Sequence, residues 1–516
     1  MQPPGVVLEP ATAGVKSPGS ARFAALRRRP LRVAGALIFA VALVFRLGVI
    51  LRKGGIHGII GYDCGVYFAG SDALLHGRMP YRDFTMVHPP GITLAVMPFA
   101  ALTKVMTDWH AFEIATLAFC LIGAANAVLV CLVCRRLGIA TRGAIVAGLF
   151  YAVWFGSISA EFEVKLEPLG NLLLLCGLLA LLRDQRRATR WSTFLAGAAI
   201  GLPMAVKIWW AVPVLLIIGW HGLHRRSLRV TAETLLGAAA SVTAVCLPFF
   251  LADPSGMWQS VVTGQLGRPV GVPIVRRLAA MSTVPNLLGQ LTGRQVSLAA
   301  LVFVVFVSAA VVFAWLGSPR VRFLVFVTLV QFAVLLLAPS WFSYYCDYLA
   351  VGLAVTVGAA AVALRREHLA GTPAMAFTAF ALVLSSLITV AGSAAALRYP
   401  GAAQLTRAVR NERCVMSTTP TLLLRLNALS RGLADGCPNW IDVNGRLMGP
   451  DSPTALKAEH QTWHGALATY LQSGDAVVIL NPDSRHYLKL VRDQVAKDGV
   501  ITRIAGQVVY RGRPQP

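Results

Sequence analysis

Apolar runs, most of them of about 17–23 residues, recur along nearly the whole chain, and a run of that length can cross a bilayer as a helix. They fall near 33–51, 111–133, 143–159, 168–182, 193–206, 208–221, 232–251, 297–316, 322–338, 348–364 and 374–396. A chain of 516 residues that is 56% hydrophobic and only 14% charged is not an ordinary soluble enzyme. The expected fold is an all-α polytopic membrane protein with about eleven transmembrane helices. The pair flanking Lys207 reads either as two short helices or as one long broken one.

The formal net charge of +24 is a topology signal once its placement is considered. The arginines cluster between apolar runs, at Arg27 to Arg29, Arg135–Arg136, Arg183 to Arg190, Arg225–Arg226, Arg320–Arg322 and Arg365–Arg366. Such clusters mark cytoplasmic loops. They fall at every second connection, which predicts a cytoplasmic N-terminus and an extracytoplasmic C-terminus in the plasma membrane. No basic stripe interleaved with aromatics appears, so nucleic acid is not an expected partner. Residues 1–32 read as a disordered basic tail, and the first apolar run as an uncleaved anchor.

Residues 33–396 form the expected membrane domain, with outer loops at 52–110 and 252–296. Residues 397–516 read as a small extracytoplasmic α/β domain. Its strands are predicted at Val415 to Ser417, Ala476 to Leu480 and Ile504 to Tyr510, with a helix over Asp483 to Lys497. No repeat of fixed period is visible. Cys120, Cys131, Cys134, Cys176 and Cys246 lie in apolar runs, where a thiol is a small buried group. Cys414 and Cys437 are the two cysteines of the predicted exported domain, and an oxidising compartment favours a disulfide between them.

Polar chemistry gathers in the first outer loop. Gly61 to Gly91 holds three aspartates, two histidines and two arginines within an otherwise apolar chain. If Asp63 to Leu75 is an interfacial helix, Tyr67 and Gly70 share the face of Asp63, while Asp72 points the opposite way as a solvated surface acid. Asp83, after the Pro80–Tyr81 turn, can fold back toward Asp63. The bland reading of Asp63 is a helix N-cap. His88 precedes two prolines that are structural, and it can meet a phosphate or an acceptor.

A second cluster runs from Glu161 to Pro168. Glu161 and Lys165 can pair at i,i+4, whereas Glu163 and Glu167 repel unless a cation or proton separates them. Glu167 can also simply cap the next span. Lys207 interrupts an apolar segment, where a charge needs a partner or snorkels to the interface. Gln265, Arg268, Arg276 and Arg277 lie on an outer loop, where topology does not explain the cations and phosphate binding does. No phosphate-binding P-loop, dinucleotide fingerprint, HExxH or GxSxG is present, so ATP or nucleotide-sugar use lacks support.

Four stretches together resemble the GT-C glycosyltransferases, polytopic enzymes that take sugars from polyprenyl-phosphate carriers. They are GYDxxVYxxxxxALLxGxxPYRDFxxxHPPG, the Lys165 to Leu169 segment, Lys207 in its glycine-rich helix, and Gln265 to Arg268. The flavour is that of protein O-mannosyltransferases, aminoarabinose transferases, and actinobacterial mannosyl- or arabinosyltransferases. The resemblance implies a sugar moved from a polyprenyl-phosphate donor to an envelope glycan, glycolipid or protein acceptor, with inversion. Asp63, with Asp83 as a second candidate, takes the catalytic role. Lys207, Arg268 and His88 meet the donor phosphate, and Tyr67, Glu163, Lys165, Glu167 and Gln265 line the substrate site. Many relatives carry a second acid directly after the first aspartate where this chain has Cys64, which puts a divalent metal site in doubt. The competing reading is a transporter or flippase for a lipid-linked precursor. That reading expects repeated halves and ionisable groups near mid-bilayer.

Overall fold

Within the described residues the apolar runs become helices. The computed structural model describes residues 18–52, 61–183, 189–268, 271–284, 291–366, 401–446, 460–479, 486–504 and 507–513. The expected span 374–396 and residues 1–17 lie outside them. Long helices are α1 (Pro18–Arg52), α4 (Asp108–Arg136) and α10 (Leu228–Ala252). Helices α2 (Tyr62–Leu75) and α3 (Gly91–Ala100) form the first loop. Helix α5 (Thr141–Val153) bends by 55° into α6 (Phe155–Glu161). Then come α7 (Leu166–Leu181), α8 (Arg190–Gly201) and α9 (Ala211–Arg225). The last four are α11 (Ile274–Met281), α12 (Arg294–Ala314), α13 (Pro319–Leu337) and α14 (Asp347–Arg366).

Among the described residues, six helices are long and apolar enough to cross a membrane, or seven if the bent α5–α6 pair counts as one span. Helices α7, α8 and α9 are shorter, with 16, 12 and 15 residues. Around Lys207 the chain makes two helices rather than one. Two 3-10 turns (Leu202–Ala205 and Ile208–Trp210) separate α8 from α9, and Lys207 sits between them with extended backbone. At the other end of the chain, α1 begins at Pro18, so the second half of the expected disordered tail is helical. Its run of alanine, leucine and arginine has the propensity for it.

The ends of α4, α7 and α9 and the start of α13 meet around Leu137, Leu182, His221 and Arg320. This gathers Arg135–Arg136, Arg225–Arg226 and Arg320 at one end of the bundle. Helix α4, with 29 residues, carries the chain about 40 Å away to its other end, where α2 and the C-terminal region lie.

The C-terminal domain holds a four-stranded sheet in the order β1-β2-β4-β3. β1 (Val415–Met416) runs parallel to β2 (Ala476–Val478), and β4 (Gln507–Arg511) is antiparallel to both β2 and β3 (Val500–Ile504). The predicted final strand is thus a hairpin whose first arm starts earlier, directly after the helix His486–Val495 and a 3-10 turn. Cys414 and Cys437 form a disulfide, with Cα atoms 5.6 Å apart. Cys176 and Cys246 depart from the expected buried thiols, Cys176 being exposed on α7 and Cys246 half-buried on α10.

This domain shares its core with the first loop. Phe68, Phe112, Leu422, Leu423 and Leu429 belong to one buried cluster. A β-carbon on Gly65 would collide with the backbone of Thr421, so glycine lets the domain approach α2 this closely. That contact overturns the expectation for Asp72. It is fully buried, because the face of α2 assigned to solvent is covered by the C-terminal domain, and it accepts a hydrogen bond from the Ser430 hydroxyl.

Candidate active site

Helix α2 starts directly after Gly61 and points Asp63, Val66 and Tyr67 into a cavity of about 570 Å³. Its other walls come from Val87 and His88 of the first loop and from Phe162, Glu163 and Lys165 before α7. Arg268, the turn Phe342 to Tyr345, and Asp442, Asn444 and Gly445 of the C-terminal domain complete it. Segments far apart in sequence thus converge on one carboxylate.

Asp63 Oδ2 accepts from Lys165 Nζ at 2.9 Å and from the Tyr344 hydroxyl at 2.6 Å. Burial alone would raise its pKa, but Lys165 and the Tyr344 hydrogen bond win and hold it at about 2. The N-cap reading fails, since no side-chain cap is made and Asp63 lies inside the first turn. Lys165 Nζ also lies 3.7 Å from Glu163 Oε2 and over the Tyr344 ring. Burial would lower the lysine, yet Asp63 and Glu163 push it above its ordinary value. Glu163 Oε1 in turn accepts from the Gly61 amide at 3.3 Å.

The alternating acids before α7 are separated by cations, but not in the expected pairs. Lys165 serves Asp63 and Glu163, while Lys207 Nζ meets Glu167 Oε1 at 2.7 Å. Glu161 leaves Lys165 and pairs with Arg46 inside the bundle. Lys207 is buried, capped by the Trp209 and Tyr345 rings, and is not on the cavity wall, so neither the snorkelling reading nor direct phosphate contact describes its geometry. Its charge still reaches His88. Burial first, then Lys207 and Arg268, hold the His88 imidazole well below its ordinary pKa, so it is neutral.

Arg268 does line the cavity. One guanidinium nitrogen reaches Ser340 Oγ at 3.4 Å, while Nε is buried with no hydrogen-bond partner among the described residues. A buried donor left unpaired is costly, and an anion entering the cavity would satisfy it.

Three further expected site residues, besides Lys207, stand off the cavity wall. Asp83 does not fold back; it caps the Met79 amide in the 79–83 turn and pairs with Arg82 at the surface. The turn is closed by Tyr81, whose left-handed backbone aims its hydroxyl at the His88 carbonyl. Gln265 and Glu167 are also off the cavity wall. Gln265 donates to the Val87 carbonyl at 2.6 Å and so braces the segment carrying His88. Arg277 is a cap rather than a phosphate ligand, since it donates to the Leu335, Leu336 and Pro339 carbonyls at the end of α13.

A metal ion does not fit this donor set. Among the described residues no three His, Cys, Asp or Glu side chains form a cage, and the Lys165 ammonium fills the gap between Asp63 and Glu163. A divalent cation and an ammonium repel each other too strongly to share it.

The sequence reading missed Tyr344, Tyr345 and Asp442. The first two sit in SWFSYYCDY, a polar aromatic run between apolar helices that can be noticed but not assigned. Asp442 Oδ1 accepts from Tyr62, the neighbour of Asp63, at 3.0 Å and from the Gly445 amide. Burial pushes its carboxyl up to about 6.

No family model matches the sequence, and no curated protein sequence matches it. Solved structures do match. The chain is similar to ArnT from Cupriavidus metallidurans in the apo state, with a TM-score of 0.60 at 15% identity over 93% of this chain and 99% of that one. The same protein bound to undecaprenyl phosphate gives 0.57 at 14% identity, over the same shares of each chain. The archaeal oligosaccharyltransferase AglB from Archaeoglobus fulgidus, in complex with an inhibitory peptide and a dolichol-phosphate, gives 0.54 at 13% identity over 86% and 69%. The fold is that of the GT-C membrane glycosyltransferases. For the GT-C fold seen here, the coverage of ArnT includes the C-terminal domain as well as the helices, since only 7% of this chain lies outside the match.

Proposed function

We propose that this chain moves a sugar from a polyprenyl-phosphate donor to an acceptor of the cell envelope, on the outer face of the plasma membrane and with inversion. The observation that carries the reading is one cavity that opposes an ionised carboxylate, Asp63, to an arginine, Arg268, with an unsatisfied donor. The GT-C fold and the lipid phosphates bound by ArnT and AglB support it. The basic clusters gather at the end of the bundle remote from the cavity, which supports an outward-facing site.

In this reading the donor phosphate binds at Arg268, with the neutral His88 imidazole donating an N–H and the Lys207 charge acting from behind. The acceptor hydroxyl approaches Asp63 and attacks the anomeric carbon on the face opposite the phosphate. As that C–O bond forms and the sugar–phosphate bond breaks, the hydroxyl proton passes to Asp63. A carboxylate held near pKa 2 is a weak base, so the proton moves late, when the attacking oxygen has become strongly acidic. The electron pair leaves with the phosphate, whose growing charge Arg268 stabilises. Asp442 and Asn444 bring the C-terminal domain to the same cavity and form the acceptor end.

The sugar is of the mannose or arabinose class, and the acceptor an envelope glycan, glycolipid or protein. The purified protein, incubated with a panel of polyprenyl-phosphate sugars and an envelope extract, should yield a transferred sugar by mass spectrometry. Movement of the intact lipid-linked donor across vesicles without transfer would instead establish the transporter.

A further inference from the structure

A charged network lies sealed inside the helix bundle and lines no part of the cavity. Arg46 of α1 donates through Nε to Glu161 Oε2 at 2.9 Å and through Nη2 to the same oxygen, while its Nη1 holds the Ala42 and Ala152 carbonyls. Tyr151 donates to Glu161 Oε1 at 2.8 Å and lies 3.4 Å from Asp347 Oδ1. Asn171 donates to Asp347 Oδ1 at 3.0 Å, to the Asp347 carbonyl at 2.9 Å and to the Tyr151 hydroxyl at 3.1 Å. Asn126 ties Glu161 to the Pro168 carbonyl. All six side chains are fully buried.

Charges buried between apolar helices are expensive, and apolar packing would hold the bundle together at least as well. The position of the two acids explains their presence. Glu161 is the last residue of α6, four before Lys165; Asp347 is the first residue of α14, three after Tyr344. Lys165 and Tyr344 are the two groups that hydrogen-bond Asp63 Oδ2. The network therefore anchors the near ends of both segments that grip this carboxylate, and Tyr151 is the bridge between them.

We propose that Glu161, Tyr151, Asp347 and Asn171 are positioning residues that fix Lys165 and Tyr344 on Asp63. This rests on Asp63 being the base of the transfer reaction. A reacting group must be held within about 0.5 Å of its productive geometry, which two short loops cannot ensure unaided. Anchoring both loops to one hydrogen-bonded frame sets their spacing together. Arg268 and His88 hang on other segments, so donor contact is independent of this frame.

The test compares Tyr151→Phe, Asp347→Ala and Asp347→Asn with wild type in two readouts. In transfer assays Tyr151→Phe and Asp347→Ala should lower kcat by about 10- to 100-fold while the donor KM stays unchanged. Asp347→Asn keeps an acceptor oxygen for Asn171 and should recover most of the loss. The second readout needs no activity: an amine-reactive label followed by mass mapping of Lys165. Wild type and Asp347→Asn should protect Lys165, whereas Tyr151→Phe and Asp347→Ala expose it at an unchanged melting temperature. Wild-type labelling and kcat in both disrupting variants would overturn the proposal. So would a loss of activity that merely follows the loss of folded protein. If wild type itself transfers no sugar, the functional reading fails, while the labelling pattern still decides whether the network positions Lys165.

Discussion

Asp63 and Asp72 stand on the same 14-residue helix, nine positions apart, and their surroundings drive the two carboxyls in opposite directions. Asp63 meets an ammonium and a phenol across a cavity and is held near pKa 2. Asp72 is sealed against the C-terminal domain, and burial raises it to about 6 despite the Ser430 hydrogen bond and nearby His76. Burial pushes both carboxyls upward, so desolvation alone does not set the direction of the shift. What differs is whether a fixed cation replaces the lost hydration. One face of α2 is built to keep a charge exposed to a ligand, and the other to close an interface.

The largest effect that can break this comparison is on catalysis. Asp63→Asn should lower transfer by about 10²–10⁴-fold, the usual worth of a general base, with donor binding retained because no cation has been removed. Retained turnover in a quantitative transfer assay would strip Asp63 of its role and make both faces of α2 structural.

Lys165 is the next lever. Lys165→Gln leaves Asp63 and Glu163 facing each other without their cation, an uncompensated charge that protonation relieves. The pKa of Asp63 should rise from about 2, so an acid limb should appear in the pH–rate profile where the unprotonated base is depleted. We expect a loss of roughly 10–100-fold near pH 5 that shrinks as the pH rises. A profile parallel to wild type would show that Lys165 does not set the Asp63 charge.

A smaller effect belongs to the opposite wall. Arg268→Gln removes a charged donor whose Nε lacks a partner. It should raise the donor KM by an amount corresponding to about 1.5–3 kcal/mol, the usual range for a hydrogen bond to a charged group. An unchanged KM across monophosphate donors would place the phosphate elsewhere.

How far the sequence led follows the same division. The spans were legible because hydrocarbon demands long apolar helices, and α4 and α10 answer that demand directly. Asp63, Tyr67, His88, Glu163, Lys165 and Arg268 were legible because a polar residue in an apolar chain stands out, and all six reach one cavity. The pairings were not. Nothing local distinguishes Lys165–Asp63 from Lys165–Glu161, because the choice depends on Arg46, 115 positions from Glu161. Asp72 misled for a related reason. Helical periodicity correctly turned it away from Asp63, but which surface covers that face depends on Ser430, 358 positions later. Asp83 was drawn to the site by proximity in sequence and Gln265 by its place in the resembling loop, whereas the turn at Tyr81 sends Asp83 outward and Gln265 instead braces Val87.

The smallest effect concerns Asp72 and reads on stability alone. Its carboxyl is raised from 3.8 to about 6, so the folded protein binds this proton more tightly than the unfolded chain. The sign follows: the unfolded state carries fewer protons here between about pH 4 and 6, and stability falls as pH rises through that window. Above it, the protein carries the cost of an ionised buried acid, one oxygen of which has no hydrogen-bond partner among the described residues. Asp72→Asn keeps the shape and an acceptor for Ser430 while removing the charge. It should therefore stabilise the docked C-terminal domain at pH 7.5 by roughly 1–2 kcal/mol, below the full shift of about 1.4 kcal/mol per unit, and flatten the dependence between pH 4 and 7. Transfer activity at pH 7.5 should match wild type, because Asp72 lies on the sealed face. Thermal unfolding across that pH range, run beside Asp63→Asn, puts both aspartates in one experiment. If Asp72→Asn destabilises the protein at pH 7.5, the ionised carboxylate is holding the domain, and the two faces of α2 are more alike than the geometry implies.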